Sequence, residues 1–167
     1  VDYVRSRVDL SNVCMVSPDA GRIRVAEKWS AKLGGCPLAF VHKTRDTTRP
    51  NVAVANRVVG DVAGKQCVMV DDMIDTAGTI SEAVKVVMNA GAASVVVAAT
   101  HGILSDPAAQ RLSECGAQEV IVTDTLPIAL EKRFDKLTIL PIAPLLARAI
   151  REVFDDGSVT SLFDGVA

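Results

Sequence analysis

Between Val68 and Ile80 the sequence reads VMVDDMIDTAGTI. An apolar strand runs directly into Asp71, Asp72 and Asp75, and then into Gly78 among hydroxyl residues, where packing alone would favour neither. Gly78 and its neighbours lead into a helical pattern. The N–H groups from Thr76 to Thr79 can therefore wrap a phosphate at a helix N-terminus, and the hydroxyls of Thr76 and Thr79 add donors. Adjacent Asp71 and Asp72 cannot both be buried unpaired, because an isolated carboxylate in apolar surroundings costs several kcal/mol. Hydrogen bonds to sugar hydroxyls, or Mg²⁺ held through water, would satisfy them. An N-cap role would explain Asp75 alone and leave the aspartate pair unexplained.

Two other segments can bring charge to the same place. SPDAGR, from Ser17 to Arg22, follows one apolar run, and HKTR, from His42 to Arg45, follows another. The second opens the longest connection in the chain, His42 to Lys65, with Lys43, Arg45 and Arg49 in its first part. Long connections in compact domains are usually functional or disordered, and basic residues just past a strand end can reach an anion. His42 and His101 are read as structural hydrogen bonders.

The elements that must position these residues follow from the spacing of apolar runs. Strands are expected at Asn12 to Val16, Leu38 to Val41, Gln66 to Val70, Ser94 to Ala99, Glu119 to Val122 and Leu137 to Leu140. Helices are expected at Arg22 to Leu33, Thr79 to Asn89, Pro107 to Cys115 and Ala143 to Phe154. Gly91 suits a left-handed C-terminal position, Asp106 an N-cap and Pro107 the first helical turn. The order β-α-β-β-α-β-α-β-β-α implies an α/β fold, a mostly parallel sheet flanked by helices. Ligands of such a sheet bind beyond the carboxyl ends of the strands, so the three loops converge on one crevice. The stripe in IAPLLARAIREVF, with Arg148, Arg151 and Glu152 facing outward, is expected to pack on the core.

A chain of 167 residues fits one domain with its own core, and the scarcity of aromatics makes that core aliphatic. A net charge of -2 gives no electrostatic case for nucleic acid or an anionic membrane, so the expected partner is small. Cys14, Cys36, Cys67 and Cys115 form no CxxC pair, which points to reduced thiols and a cytoplasmic protein. No apolar run approaches the roughly 18 residues of a membrane span. The absence of an initiator Met, with the first strand arriving almost at once, reads as a piece of something longer.

The string DDMIDTAGT after a strand resembles the phosphoribosyl pyrophosphate motif shared by type I phosphoribosyltransferases and ribose-phosphate pyrophosphokinases. VSPDAG, VHKTR with RPN downstream, ATHGILSDPA and GSVTSLFD extend the resemblance nearly end to end to the second family. It implies a type I phosphoribosyltransferase-like fold. The implied reaction moves the diphosphoryl group of Mg-ATP to the anomeric hydroxyl of ribose 5-phosphate, giving phosphoribosyl pyrophosphate and AMP for nucleotide biosynthesis. Carried over by residue, Asp75, Thr76, Ala77, Gly78 and Thr79 would hold the 5-phosphate. Asp71 and Asp72 would contact ribose hydroxyls or the associated Mg²⁺. Asp19 would help place Mg²⁺ and the diphosphate, while Lys43 would be the principal catalytic cation, with Arg45 beside it.

The resemblance also sets limits. DAGR lacks a second glycine found in many members, so Arg22 either adds an anion contact or begins the helix, and Thr44 replaces a middle cation. Members have two similar domains; residues 1–167 match the second, without the N-terminal domain that supplies much of the ATP site. The implied partners are ribose 5-phosphate, ATP and other copies of the chain, as a homo-oligomer built from dimers up to a hexamer. ATHGILS is either a nucleotide-phosphate contact near the family's allosteric region or an ordinary capped turn. Two alternatives carry distinguishing marks. A type I phosphoribosyltransferase would need a hood for a nucleobase, and no such insertion is visible. A non-catalytic regulatory relative would have lost Lys43, Arg45 or the aspartates, and all are present.

Overall fold

The computed structural model describes residues 1–44 and 55–163. Seven strands form one sheet: β1 (Val13–Ser17), β2 (Leu38–Thr44), β3 (Ala55–Val59), β4 (Gln66–Ile74), β5 (Ser94–Gly102), β6 (Glu119–Thr123) and β7 (Leu137–Leu140). Their order is β3-β2-β1-β4-β5-β6-β7, and every pairing is parallel except β2 with β3. The helices are α1 (Asp2–Arg5), α2 (Ile23–Lys32), α3 (Gly78–Asn89), α4 (Ala108–Glu114) and α5 (Ala143–Phe154).

Alternate residues of each central strand enter different cores. Cys14, Val16, Cys67 and Met69 pack with Ile80, Val84 and Val87 of α3 and Leu112 of α4. Val13, Met15, Val68 and Val70 pack with Ala26 and Leu33 on the α2 side. Burial on both faces is why these strands read as unbroken apolar runs. The chain leaves β1 for β2 on one side of the sheet and β4 for β5 on the other. The strand order therefore reverses between β1 and β4, which opens a crevice at their carboxyl ends.

All six expected strands are present, but β2, β4 and β5 run three or four residues further than their apolar cores. As a result, Asp71 and Asp72 lie inside β4, and His101 lies inside β5, where a register shift interrupts the pairing with β6. β3 was hidden within the expected long connection. As an edge strand its polar Asn56 and Arg57 precede a single apolar pair, Val58 and Val59, so its pattern is weak. Gly91 does adopt the left-handed conformation, at φ 92°. Asp106 is not an N-cap and Pro107 is not the first helical residue: Pro107 holds the N-cap position and α4 begins at Ala108, whose N–H is taken by the Ser105 carbonyl at 2.9 Å.

Helix α5 departs most from expectation. It buries none of its residues, and Ile150, Val153 and Phe154 are 68%, 67% and 86% exposed. Its stripe is amphipathic as read, but its main neighbour among the described elements is the short 3-10 turn Val159–Phe163 rather than the sheet.

The opposite end of the sheet is tied by one carboxylate. Glu119, buried at the start of β6, accepts from Tyr3 Oη and Thr138 Oγ1 at 2.6 Å each, both at Oε1, and from Arg7 Nε at 3.0 Å at Oε2. Burial pushes its carboxyl up, but the donors from Thr138, Tyr3 and Arg7 outweigh this and leave it below the ordinary glutamate value. The stabilisation is thus present above about pH 4.5 and fades as pH falls through the lower folded value. Glu119→Gln should destabilise the chain by about 1–3 kcal/mol at neutral pH. In thermal melts, the gap from wild type should narrow below about pH 4; a gap independent of pH would contradict this account.

Candidate active site

The crevice is built from the ends of β1 and β4. After β1, the buried Ser17 donates its Oγ to the Asp19 carbonyl at 2.6 Å. Asp19 Oδ1 then accepts from the N–H groups of Gly21 at 2.8 Å and Arg22 at 3.2 Å, capping a 3-10 turn, Ala20–Arg22. A Cβ on Gly21 would stand 3.2 Å from that same oxygen, so a residue without one suits the tight turn. The turn delivers Arg22 across to β4.

Arg22 Nε lies 3.0 Å from Asp71 Oδ1, and its Nη2 lies 2.6 Å from Asp72 Oδ1. The two carboxylates also fold back onto the following amides, Asp71 onto Asp72 N–H at 2.9 Å and Asp72 onto Met73 N–H at 2.8 Å. Burial pushes the Asp71 carboxyl up, whereas the Arg22 hydrogen bond holds Asp72 down. The aspartate pair is therefore satisfied by a cation from the chain itself. Of the two roles left open for Arg22, the structure shows the helix start, since Arg22 is the N-cap residue of α2, and it sends the guanidinium to the two acids at the site. The signal was present in the sequence as a cation after a strand end, but its partners lie 49 and 50 residues away.

Beyond β4, Asp75 and Thr76 are exposed and Ala77 is buried at φ 59°, ψ 11°. The left-handed region costs a non-glycine residue about 1–2 kcal/mol. Asp75 does not cap α3; its N-cap position is Ala77, which has no side-chain oxygen to accept a bond. Among the described residues, the N–H groups of Thr76, Ala77, Gly78 and Thr79 have no hydrogen-bond partner. With the positive end of the α3 dipole, they form a concave row suited to an anion. The row lines a cavity of about 230 Å³ together with Asp19, Arg22 and Asp71. Arg22 and Asp71 also line a second cavity of about 350 Å³, whose other walls include Trp29, Thr100 and Thr123.

The basic segment is only partly described. The Lys43 backbone is in β2, opposite Asn56 of β3, while its side chain, Arg45 and Arg49 lie outside the described residues. His101 hydrogen-bonds through Nδ1 to Thr125 Oγ1 at 2.8 Å, as a structural histidine should. Among the described residues, no three His, Cys, Asp or Glu side chains cluster as a metal site. No helix among them is long and apolar enough to cross a membrane.

This site sits in a chain whose residues 12–164 match the family model of the phosphoribosyl synthetase-associated domain. The chain belongs to that family. Its sequence is 70% identical over 166 residues to the ribose-phosphate pyrophosphokinase of Bifidobacterium longum, covering 98% of this chain and 49% of that protein. It also superposes on the phosphoribosylpyrophosphate synthetase of Mycobacterium smegmatis with a TM-score of 0.83 at 58% identity, across 93% of this chain and 49% of the other. Orotate phosphoribosyltransferase from Aeropyrum pernix, at 17% identity and a TM-score of 0.54, shares the fold. The type I phosphoribosyltransferase-like architecture expected from the motif is thus present. The chain spans about half the length of the curated relatives it matches.

Replacing Arg22 tests the ion pairs directly. In Arg22→Met, carboxyl titration by NMR should find the Asp72 midpoint raised relative to wild type, because the group that holds it down is gone. An unmoved midpoint would mean that the 2.6 Å contact is not maintained in solution.

Proposed function

We propose that the chain is the ribose 5-phosphate-binding and catalytic-loop half of a ribose-phosphate pyrophosphokinase that transfers the diphosphoryl group of Mg-ATP to the anomeric hydroxyl. The observation that carries this reading is the row of free N–H groups at Thr76 to Thr79 beside the Asp71–Arg22–Asp72 cluster. A phosphate on that row would place a ribose ring toward Asp71 and Asp72, whose remaining carboxylate oxygens can accept from its hydroxyls. Thr76 and Thr79 add side-chain donors, and the exposed Asp75 borders the same cradle.

Mg²⁺ fits this donor set. It is commonly held by one or two carboxylates, several waters and substrate phosphates rather than by a full protein cage. Asp19 uses Oδ1 to cap its turn, which leaves Oδ2 available toward the cavity. When bound, the ion would neutralise charge on the transferring phosphoryl oxygens. Lys43 and Arg45 would add fixed positive charge to the same oxygens from the β2 side. Arg22 would keep two adjacent acids from repelling the incoming anion. ATP, a second domain, a cytoplasmic location and assembly into dimers or hexamers belong to this proposal for the longer protein. The bare apolar stripe of α5 is compatible with a further protein surface.

Calorimetric titration of the chain with ribose 5-phosphate in the presence of Mg²⁺ should detect binding, and titration with ATP should detect little. A folded sample that ignores ribose 5-phosphate would overturn the reading. In the longer protein, Lys43→Ala should slow AMP formation by roughly 10²-fold or more; a wild-type rate would remove Lys43 from catalysis.

A further inference from the structure

We propose that Arg111, on α4, is a positioning residue that holds the anion-binding row in its binding shape, a role that rests on the reading of Thr76 to Thr79 as a phosphate cradle. Arg111 Nη1 donates to the Thr76 carbonyl at 2.9 Å. Its guanidinium lies directly beneath the loop, since a Cβ built on Gly78 would be 3.5 Å from the same nitrogen. Arg111 touches no cavity-lining side chain in this contact and acts through the backbone.

The direction of each loop carbonyl fixes the direction of the N–H that follows it. The Ile74 carbonyl accepts from the N–H groups of Ile103 and Leu104 at 3.0 and 3.1 Å. The carbonyls of Ala77 and Gly78 are taken by Ser81, through its N–H at 2.9 Å and its Oγ at 3.1 Å. The Thr76 carbonyl, by contrast, is held by a side chain from the neighbouring βα unit. A peptide plane carries its carbonyl and its N–H in opposite directions. Pinning the Thr76 oxygen toward α4 therefore aims the Ala77 N–H the other way.

Ala77 gives that pin work to do. It occupies the left-handed region without the freedom of glycine, a conformation that persists only where its surroundings enforce it. Rotation of the Thr76–Ala77 peptide would let Ala77 relax toward φ < 0 and withdraw one N–H from the row. The Arg111 bond opposes this rotation, and the guanidinium adds positive charge behind the anion site.

The test compares Arg111→Met and Arg111→Lys with wild type. Arg111 is exposed, so both variants keep the core. Backbone NMR shifts of Ala77 report its conformation without any ligand, and calorimetry with ribose 5-phosphate and Mg²⁺ reports the cradle. Arg111→Met should move the Ala77 shifts away from left-handed values and weaken ribose 5-phosphate binding roughly tenfold, the scale of one charged hydrogen bond. Arg111→Lys should restore part of both. Unchanged Ala77 shifts in Arg111→Met would overturn the positioning role, including where affinity falls, because the arginine would then act by charge alone. If wild type binds no ribose 5-phosphate but Ala77 still responds to Arg111→Met, the positioning role stands and the sugar-phosphate reading fails.

Discussion

The parallel pairing of β1 with β4 is the constraint on which the site depends. Val13, Cys14, Met15 and Val16 lie opposite Gln66, Cys67, Val68 and Met69, so β1 ends level with Val70 at the point where the strand order reverses, while β4 runs on through Asp71 and Asp72 to Ile74. A shift of one residue would turn every side chain of β1 to the other face and exchange two buried cores. That cost makes the register secure. It also means that the loop after Ser17 begins beside the stretch of β4 that carries Asp71 and Asp72, close enough for Arg22 and the aspartates to meet.

Negative charge at this crevice is partly offset before any ligand arrives. One guanidinium faces two adjacent carboxylates, and the carboxylates also accept from the amides that follow them. Protein-supplied counter-charge lets Asp71 be largely buried without a permanently bound cation. An incoming ion or sugar hydroxyl at the remaining oxygens would share these carboxylates with Arg22, so binding there gains less than the bare contacts suggest.

The features legible in the sequence were those set by short-range rules. Six strand cores appear as apolar runs because both faces of the sheet are covered, and Gly91 reads as a left-handed stop because the conformation favours a residue without a Cβ. The glycine and threonines before α3 signal an anion loop through local chemistry alone. Long-range partners were not legible: Arg22 was weighed as a helix start or an anion contact, and its pairing with Asp71 and Asp72 depends on the β1–β4 register. β3 was missed because an edge strand needs little apolar signal. The stripe of α5 was read correctly as amphipathic and wrongly as core, since periodicity tells that a face needs covering but not what covers it. Asp106 failed as a cap because the backbone turn, closed by Ser105 onto Ala108, set the helix start one residue late.

The antiparallel ribbon of β2 and β3 has a further consequence for Lys43. Thr44 and Ala55 face each other on the last described rung. The backbone of Lys43 is fixed by its own rung opposite Asn56. Placement of that lysine's backbone therefore comes from strand pairing that reaches one rung past it, and so from the same sheet that fixes the aspartates of β4.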